Sequence, residues 1–137
     1  MITEDYVSFE TAKLLKEKGF EGYSIINIYD EDAVNAYIKE LKEKHLPYSS
    51  DDPKLKEFYY TIPTLQMAMK WLKEKHNIVV EPFIREDTKY VWYIHRIETR
   101  FNKKYLVFCW GSKNIKYESY EQACEAAIKY CLEKKLI

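Results

Sequence analysis

The chain has 137 residues, which is enough for one domain and too few for two independent cores. Its 22 basic and 22 acidic residues give a formal net charge of zero, which excludes a protein that binds polyanions through bulk charge alone. An apolar fraction of 47% excludes wholesale disorder, and 13 tyrosines make the chain rich in amphipathic rings.

Acidic side chains outnumber basic ones by 13 to 8 over residues 1–62, where the pattern predicts a helix-strand-helix extension. Ser8 is a typical N-cap residue, and Gly19 favours the left-handed conformation found just beyond a helix end. Asp30 begins an acidic run that is suited to capping a second helix. The predicted elements are a helix over 9–18, a strand over 23–29, a helix over 33–45, a loop over 46–57 and a short strand over 58–61.

The remaining residues, 63–137, predict an α-β-β-β-α unit. The predicted elements are a helix over 64–76, strands over 78–85, 89–98 and 104–110, and a last helix that follows Ser119. Ser119 and Gln122 form a capping box, and an apolar stripe with helical spacing runs from there to Leu132. The polar links between the strands suit antiparallel hairpins. We therefore expect one α+β domain over 1–137, with a three- to five-stranded, mainly antiparallel sheet and about four helices.

Three helical stretches of the chain look familiar: Tyr6–Leu14, Pro63–Asn77 and Tyr120–Glu133. They resemble a group of small uncharacterised proteins that are common in gut Bacteroidales and in their phages and mobile elements. The stretches that carry the resemblance lie in the helices. The resemblance implies a bacterial or phage-associated cytosolic protein, and it brings no catalytic residues because the group has no assigned function.

The residues that commonly perform chemistry do not fall into a catalytic or metal-binding motif. Three cysteines occur without a CxxC pair, and Cys124 and Cys131 lie on the apolar stripe, as core residues do. His45 and His76 are placed to end helices, and His95 lies alone inside a strand. The three glycines form neither GxGxxG nor a P-loop. The sequence therefore predicts a non-enzymatic protein with no catalytic residue, metal or cofactor.

The N-terminal residues and the hydropathy predict a cytoplasmic protein without a membrane partner. Residues 1–5 include two acids and no base, whereas a signal peptide begins with basic residues followed by apolar ones. No apolar run approaches the roughly 18 residues that a membrane-spanning helix needs. Cysteines without a disulfide pattern fit a reducing compartment.

The central strand candidates are apolar on both faces, which bears on how the protein binds. Tyr93 and Ile97 lie on one face of the strand over 89–98, whereas Trp92 and Ile94 lie on the other. One layer of helices buries one face of a sheet, so either helices cover both faces or an aromatic face remains for a partner. We favour a small binding or regulatory protein that recognises a protein partner or associates with itself. The predicted binding surface consists of Tyr90, Trp92, Tyr93, His95, Arg96, Arg100, Lys103, Lys104, Tyr105 and Trp110.

Weak nucleic-acid binding is the alternative, because residues 63–117 hold 11 basic and 5 acidic side chains among their aromatic rings. The predicted phosphate contacts are Arg85, Lys89, Arg96, Arg100, Lys103 and Lys104. The order α-β-β-β-α resembles the double-stranded RNA-binding domain. That family places lysines at the start of its last helix, where this chain has Glu118, Glu121 and Glu125. A purely structural interpretation of this segment stays open as well: the aromatic rings fill the core, and the Lys and Arg side chains are solvated on the outer face.

Overall fold

Capping side chains set the starts of the helices. In the computed structural model, which describes residues 5–22, 24, 26–134 and 136–137, four α-helices each follow a residue whose side chain accepts a backbone N–H. These N-caps are Ser8, Asp30, Thr64 and Ser119. The helices are α1 (Phe9–Glu17), α2 (Glu31–Glu43), α3 (Leu65–His76) and α4 (Tyr120–Glu133).

Within the described ranges, five strands complete the α+β fold of this single domain, and all pairing between them is antiparallel. The smaller sheet pairs β1 (Asn27–Tyr29) with β2 (Tyr59–Thr61). The larger sheet has the order β3-β4-β5, from β3 (Ile78–Ile84), β4 (Tyr90–Arg100) and β5 (Lys103–Gly111). The predicted α+β class is confirmed, and the strands divide between two sheets.

Two predicted boundaries in the N-terminal part differ from the structure. The strand predicted over 23–29 is limited to β1, because its partner β2 is only three residues long; residues 23 and 25 lie outside the described residues. The helix predicted over 33–45 begins earlier, because Asp30 is the residue that accepts the N–H of Ala33. A 3₁₀ helix, Pro53–Phe58, occupies the end of the predicted loop.

Helices α3 and α4 cover one face of the larger sheet, and α1 packs against α4 and β2 to complete the same core. Alternate residues of β4 point to the helices, which is why Trp92 and Ile94 are buried while Tyr93 and His95 are partly exposed. Val91 lies on the other face and is buried as well. Leu15, Leu72 and Ile128 supply the largest buried aliphatic side chains of the three helices. The apolar stripe predicted for the last helix is confirmed, since its buried residues are Ala123, Cys124, Ala127, Ile128, Cys131 and Leu132.

Glu125 joins the first and last helices. Its Oε1 atom accepts the backbone N–H of Ser8 at 2.9 Å and the hydroxyl of Thr11 at 2.6 Å. Thr11 is fully buried, so this carboxylate satisfies a donor that water does not reach. The negative charge also lies near the start of α1, where the helix dipole favours it. Glu125 is therefore a structural residue of the α1–α4 contact.

Helix α2 forms a peripheral lobe with the 3₁₀ helix. It has no buried residue, and its Tyr37 hydroxyl donates to Asp52 Oδ2 at 2.6 Å. Lys13 holds the start of α2 through a 2.6 Å ion pair with Asp30. Lys16 donates to the carbonyl oxygens at the end of the 3₁₀ helix and in β2: Lys56, Glu57 and Tyr59.

The hydrogen bond between Tyr37 and Asp52 predicts a pH dependence for this lobe. It raises the pKa of Tyr37 to about 12 and lowers the pKa of Asp52. The stabilisation is therefore lost as the pH falls through the lowered pKa of Asp52, and again as it rises from about 10 to about 12. We expect Tyr37→Phe to return the pKa of Asp52 towards its ordinary value in an NMR titration. Asp87, whose pKa is lowered by Lys116, is the internal control and should not move.

Candidate interaction surface

The second face of the larger sheet carries no helix among the described residues. We call it the open face, and it consists of Val79, Glu81, Phe83, Tyr93, His95, Ile97, Leu106 and Phe108. Val91 has the same orientation but is only 1% exposed. Cross-strand pairing places these side chains together, since His95 opposes Phe108 and Ile97 opposes Leu106. Phe83 and Phe108 are each 58% exposed and Leu106 is 53% exposed. The sequence left two alternatives for the sheet: helices on both faces, or one aromatic face without helices. Within the described residues, the structure has the second.

Aromatic rings form a connected row across the open face. The ring centroids of Phe83 and Tyr93 are 6.2 Å apart, as are those of Tyr93 and Phe108. His95 continues the row at 5.7 Å from Phe108. All three pairs are edge-to-face, an arrangement that aromatic quadrupoles favour. Because each ring supports the next, the row presents a preorganised apolar surface.

A β-bulge creates a groove at one end of this row. Phe108 opposes His95, whereas Trp110 opposes Ile94, so Cys109 is the extra residue in β5. Bulges re-aim the side chains around them. The groove has a volume of about 350 Å³, and Tyr93, Phe108 and Trp110 line it.

Glycine at position 111 allows this groove to form. A Cβ atom there would lie 3.1 Å from the Tyr93 ring, closer than side chains normally pack. Gly111 therefore lets the ring of Tyr93 lie against the backbone of β5.

The groove is lined by two cationic side chains, and a single carboxylate lies elsewhere on the open face. Arg85 and Lys113 line the groove, and neither forms an ion pair within the described part of the chain. Glu81 Oε2 lies 3.9 Å from His95 Nδ1, a buried nitrogen with no hydrogen-bond partner among the described residues. The groove is thus suited to an acidic group beside an apolar one.

The structure separates the residues of the predicted binding surface onto two faces. Tyr93 and His95 lie on the open face, but Trp92 and Arg96 do not, and this corrects the prediction. Trp92 is 4% exposed, and its ring is 5.1 Å from that of Tyr130 in α4. Arg96 donates to the carbonyl oxygen of Leu136 at 3.0 Å. Both point to the helices because even-numbered residues of β4 face the core.

The other predicted surface residues lie around the sheet. Tyr90 is half-buried and pairs with Tyr117 through two backbone hydrogen bonds. Trp110 lines the groove, while Lys103, Lys104 and Tyr105 are exposed at the start of β5. Arg100 pairs with Glu98 at 2.6 Å.

Sequence reasoning missed Phe83, Leu106 and Phe108, the most exposed apolar residues of the open face. The signal that finds them is cross-strand register. Once β4 and β5 are aligned through their hairpin, Leu106 and Phe108 share the face of Ile97 and His95.

The six predicted phosphate contacts do not form one cluster, although Arg100, Lys103 and Lys104 meet at the hairpin of β4 and β5. Arg96 points to the helices, Lys89 pairs with Glu118, and Arg100 pairs with Glu98. The remaining three, Arg85, Lys103 and Lys104, are exposed. A strand of nucleic acid would therefore meet few unpaired cations on this sheet.

Burial makes the thiols of Cys124 and Cys131 poor nucleophiles. Desolvation raises the pKa of Cys124 to about 11 and that of Cys131 to about 12. No group of three or more His, Cys, Asp or Glu side chains within the described ranges is placed to hold a metal ion. Cys109, at the bulge, is half-buried.

Thiol labelling should distinguish the three cysteines. We expect one thiol per folded chain to react with an aromatic disulfide reagent at pH 8, and three after unfolding, because a neutral buried thiol is a poor nucleophile. Cys109→Ser should abolish the reaction of the folded chain. Labelling of Cys124 or Cys131 in the native protein would contradict the burial of α4.

Comparison of the chain with protein families, with curated proteins and with solved structures finds no match. None of the helices that the structure describes combines the length and the apolar character needed to cross a bilayer. The open face and its groove are therefore interpreted from their own geometry.

Proposed function

We propose that the protein is a non-enzymatic binding protein whose open face docks a protein partner presenting apolar side chains beside acidic ones. The observation that carries the proposal is the row Phe83-Tyr93-Phe108, whose two phenylalanines are exposed, with Arg85 and Lys113 at its groove. Contiguous exposed apolar surface is typical of interaction sites, and rigid aromatic rings supply much of the binding energy there.

The cations favour an acidic partner. Arg85 and Lys113 have no ion-pair partner within the described ranges, so a partner carboxylate can pair with them without displacing an existing one. Charge complementarity of this kind directs association and fixes orientation more than it adds affinity. The rings and aliphatic side chains supply the affinity, and the two cations select partners that carry acids.

A protein partner fits the open face better than a nucleic acid does. Leu106 and Ile97 extend the row with aliphatic side chains, which match apolar side chains rather than stacked bases. Glu81 places a carboxylate on the same face, where it would repel phosphate. Lys89 and Arg100 are already paired with carboxylates, which leaves few cations to release counterions.

A displayed library of random peptides tests the proposal directly. We expect selection on the folded protein to enrich peptides with apolar residues next to Asp or Glu. Their affinity should fall at least tenfold in Phe108→Ala, since a centrally placed ring is worth about 2 kcal/mol or more at an interface. Arg85→Ala should weaken binding and reduce its dependence on salt.

The matched control is Phe101→Ala, because Phe101 is 96% exposed in the turn between β4 and β5 and lies off the open face. It should bind the selected peptides as the unchanged protein does. Enriched peptides that bind equally well to Phe108→Ala would overturn the proposal. So would a labelled single-stranded oligonucleotide that binds with steep salt dependence and competes with the peptides.

A further inference from the structure

The outer edge of β5 has no partner strand in the described part of the chain. Strand β5 has nine residues, is exposed along most of its length, and forms its extensive contacts with β4 alone. A long, apolar strand edge offers unpaired N–H and C=O groups to another strand.

Hydrogen bonds at both sides of β4 show which groups of β5 face that edge. Ile97 donates its N–H towards β3, to the carbonyl oxygen of Asn77, whereas Trp92 exchanges bonds with Ser112 on the side of β5. Even-numbered residues of β4 therefore bond to β5, because successive residues of a strand alternate in direction. Their partners Lys103, Tyr105 and Val107 bond inward. The backbone groups of Lys104, Leu106 and Phe108 are left for the free edge.

The opposite edge of the sheet, formed by β3, is protected against pairing with another strand. By the same alternation, the residues of β3 that face outward include Pro82, which has no N–H to donate. Proline at an outward position is a common protection of edge strands. The two edges differ accordingly: β3 resists pairing, and β5 presents three outward residues with intact backbone groups.

We infer that the edge of β5 pairs with β5 of a second copy of this chain, in an antiparallel register centred on Leu106. This inference goes beyond the proposed function, because it concerns the edge of the sheet and not its open face. Leu106 then opposes Leu106 of the second copy, and Lys104 opposes Phe108. Each of these pairs exchanges two N–H···O bonds. A two-fold axis between the two Leu106 residues makes the contact self-complementary and closes the assembly at two copies.

This register also avoids contacts between like charges and places the open faces of the two copies on the same side of the joined sheet. No like charges meet, since Lys103 opposes Cys109 of the second copy and Lys104 lies beside the Phe108 ring. Cross-strand partners share a face, so the open faces of the two copies join into one surface. A register centred on Phe108 would instead place Lys103 opposite Lys113.

Site-specific cross-linking tests the register. In a Cys109→Ser background, Leu106→Cys should form an intermolecular disulfide under mild oxidation, because opposed residues of a hydrogen-bonded pair have Cα atoms about 5.5 Å apart. The product should have twice the 16.6 kDa mass of one chain. Lys104→Cys is the matched control: its equivalents are four residues apart along the strands, roughly 13 Å, and should cross-link less than a tenth as much. Equal cross-linking at both positions, or none at 106, would overturn the inference.

Sedimentation equilibrium tests the role of the backbone. Leu106→Pro removes an outward N–H and Leu106→Thr keeps it, while both remove the leucine side chain. We expect the proline variant to dimerise at least tenfold more weakly than the threonine variant. Identical dissociation constants would contradict edge pairing, and circular dichroism checks that both variants fold. Peptide binding that depends on Phe108, in a protein that stays monomeric, would overturn the dimer and leave the proposed function standing.

Discussion

Replacing Trp92 by alanine is expected to lower the free energy of unfolding by about 3–5 kcal/mol. The ring is buried between the larger sheet and α4, where it packs against Tyr130. Removing it costs the transfer free energy of the ring and also leaves a cavity. Since a domain of this size is stable by about 5–15 kcal/mol, a substantial part of the stability would be lost. Urea denaturation followed by circular dichroism measures the change.

Phe108→Ala is the control on the other face of the same sheet. Most of its ring is exposed, so we expect a loss of less than about 1 kcal/mol. The two variants together separate a ring that holds the fold from one that is available to a partner. Equal losses of stability would contradict the open face, because they would require Phe108 to be covered as fully as Trp92.

Glu125→Ala is expected to lower the free energy of unfolding by about 1–3 kcal/mol. The substitution removes the acceptor for Ser8 and for the buried hydroxyl of Thr11. A buried donor left without a partner costs its full desolvation penalty. The same denaturation experiment measures the loss.

Glu125→Gln is the matched variant for this contact, because the amide keeps an acceptor oxygen at the same position while losing the charge. It should retain more stability than Glu125→Ala. If both variants lost the same amount, the negative charge beside the start of α1 would matter more than the hydrogen bonds. Unchanged stability in both variants would contradict the α1–α4 contact.

Local signals explain why the helices and the three-stranded sheet were predictable. An N-cap such as Ser119 and a left-handed C-cap such as Asn77 act within one or two turns, so their effects can be read from neighbouring residues. The length of β1 depends instead on its partner β2, some thirty positions away. The pattern of residues within β1 gives no information about the length of that partner.

The candidate site was only partly predictable, for two physical reasons. Val91 and Ile94 are both apolar, so periodicity shows that β4 has two apolar faces but not which one the helices cover. The bulge at Cys109 shifts the register beyond it, and no glycine or proline marks the position. Pairing between Lys89 and Glu118, 29 positions apart, likewise depends on the completed fold.

The contact between α1 and α4 also constrains how the chain folds during its synthesis. Glu125 lies 117 positions after Ser8, so α1 leaves the ribosome long before its docking partner does. The hairpins of the larger sheet join neighbouring segments and can form early, whereas α1 has to wait with Ala12 and Leu15 uncovered. A chain arrested before α4 would therefore expose this helix to chaperones and proteases.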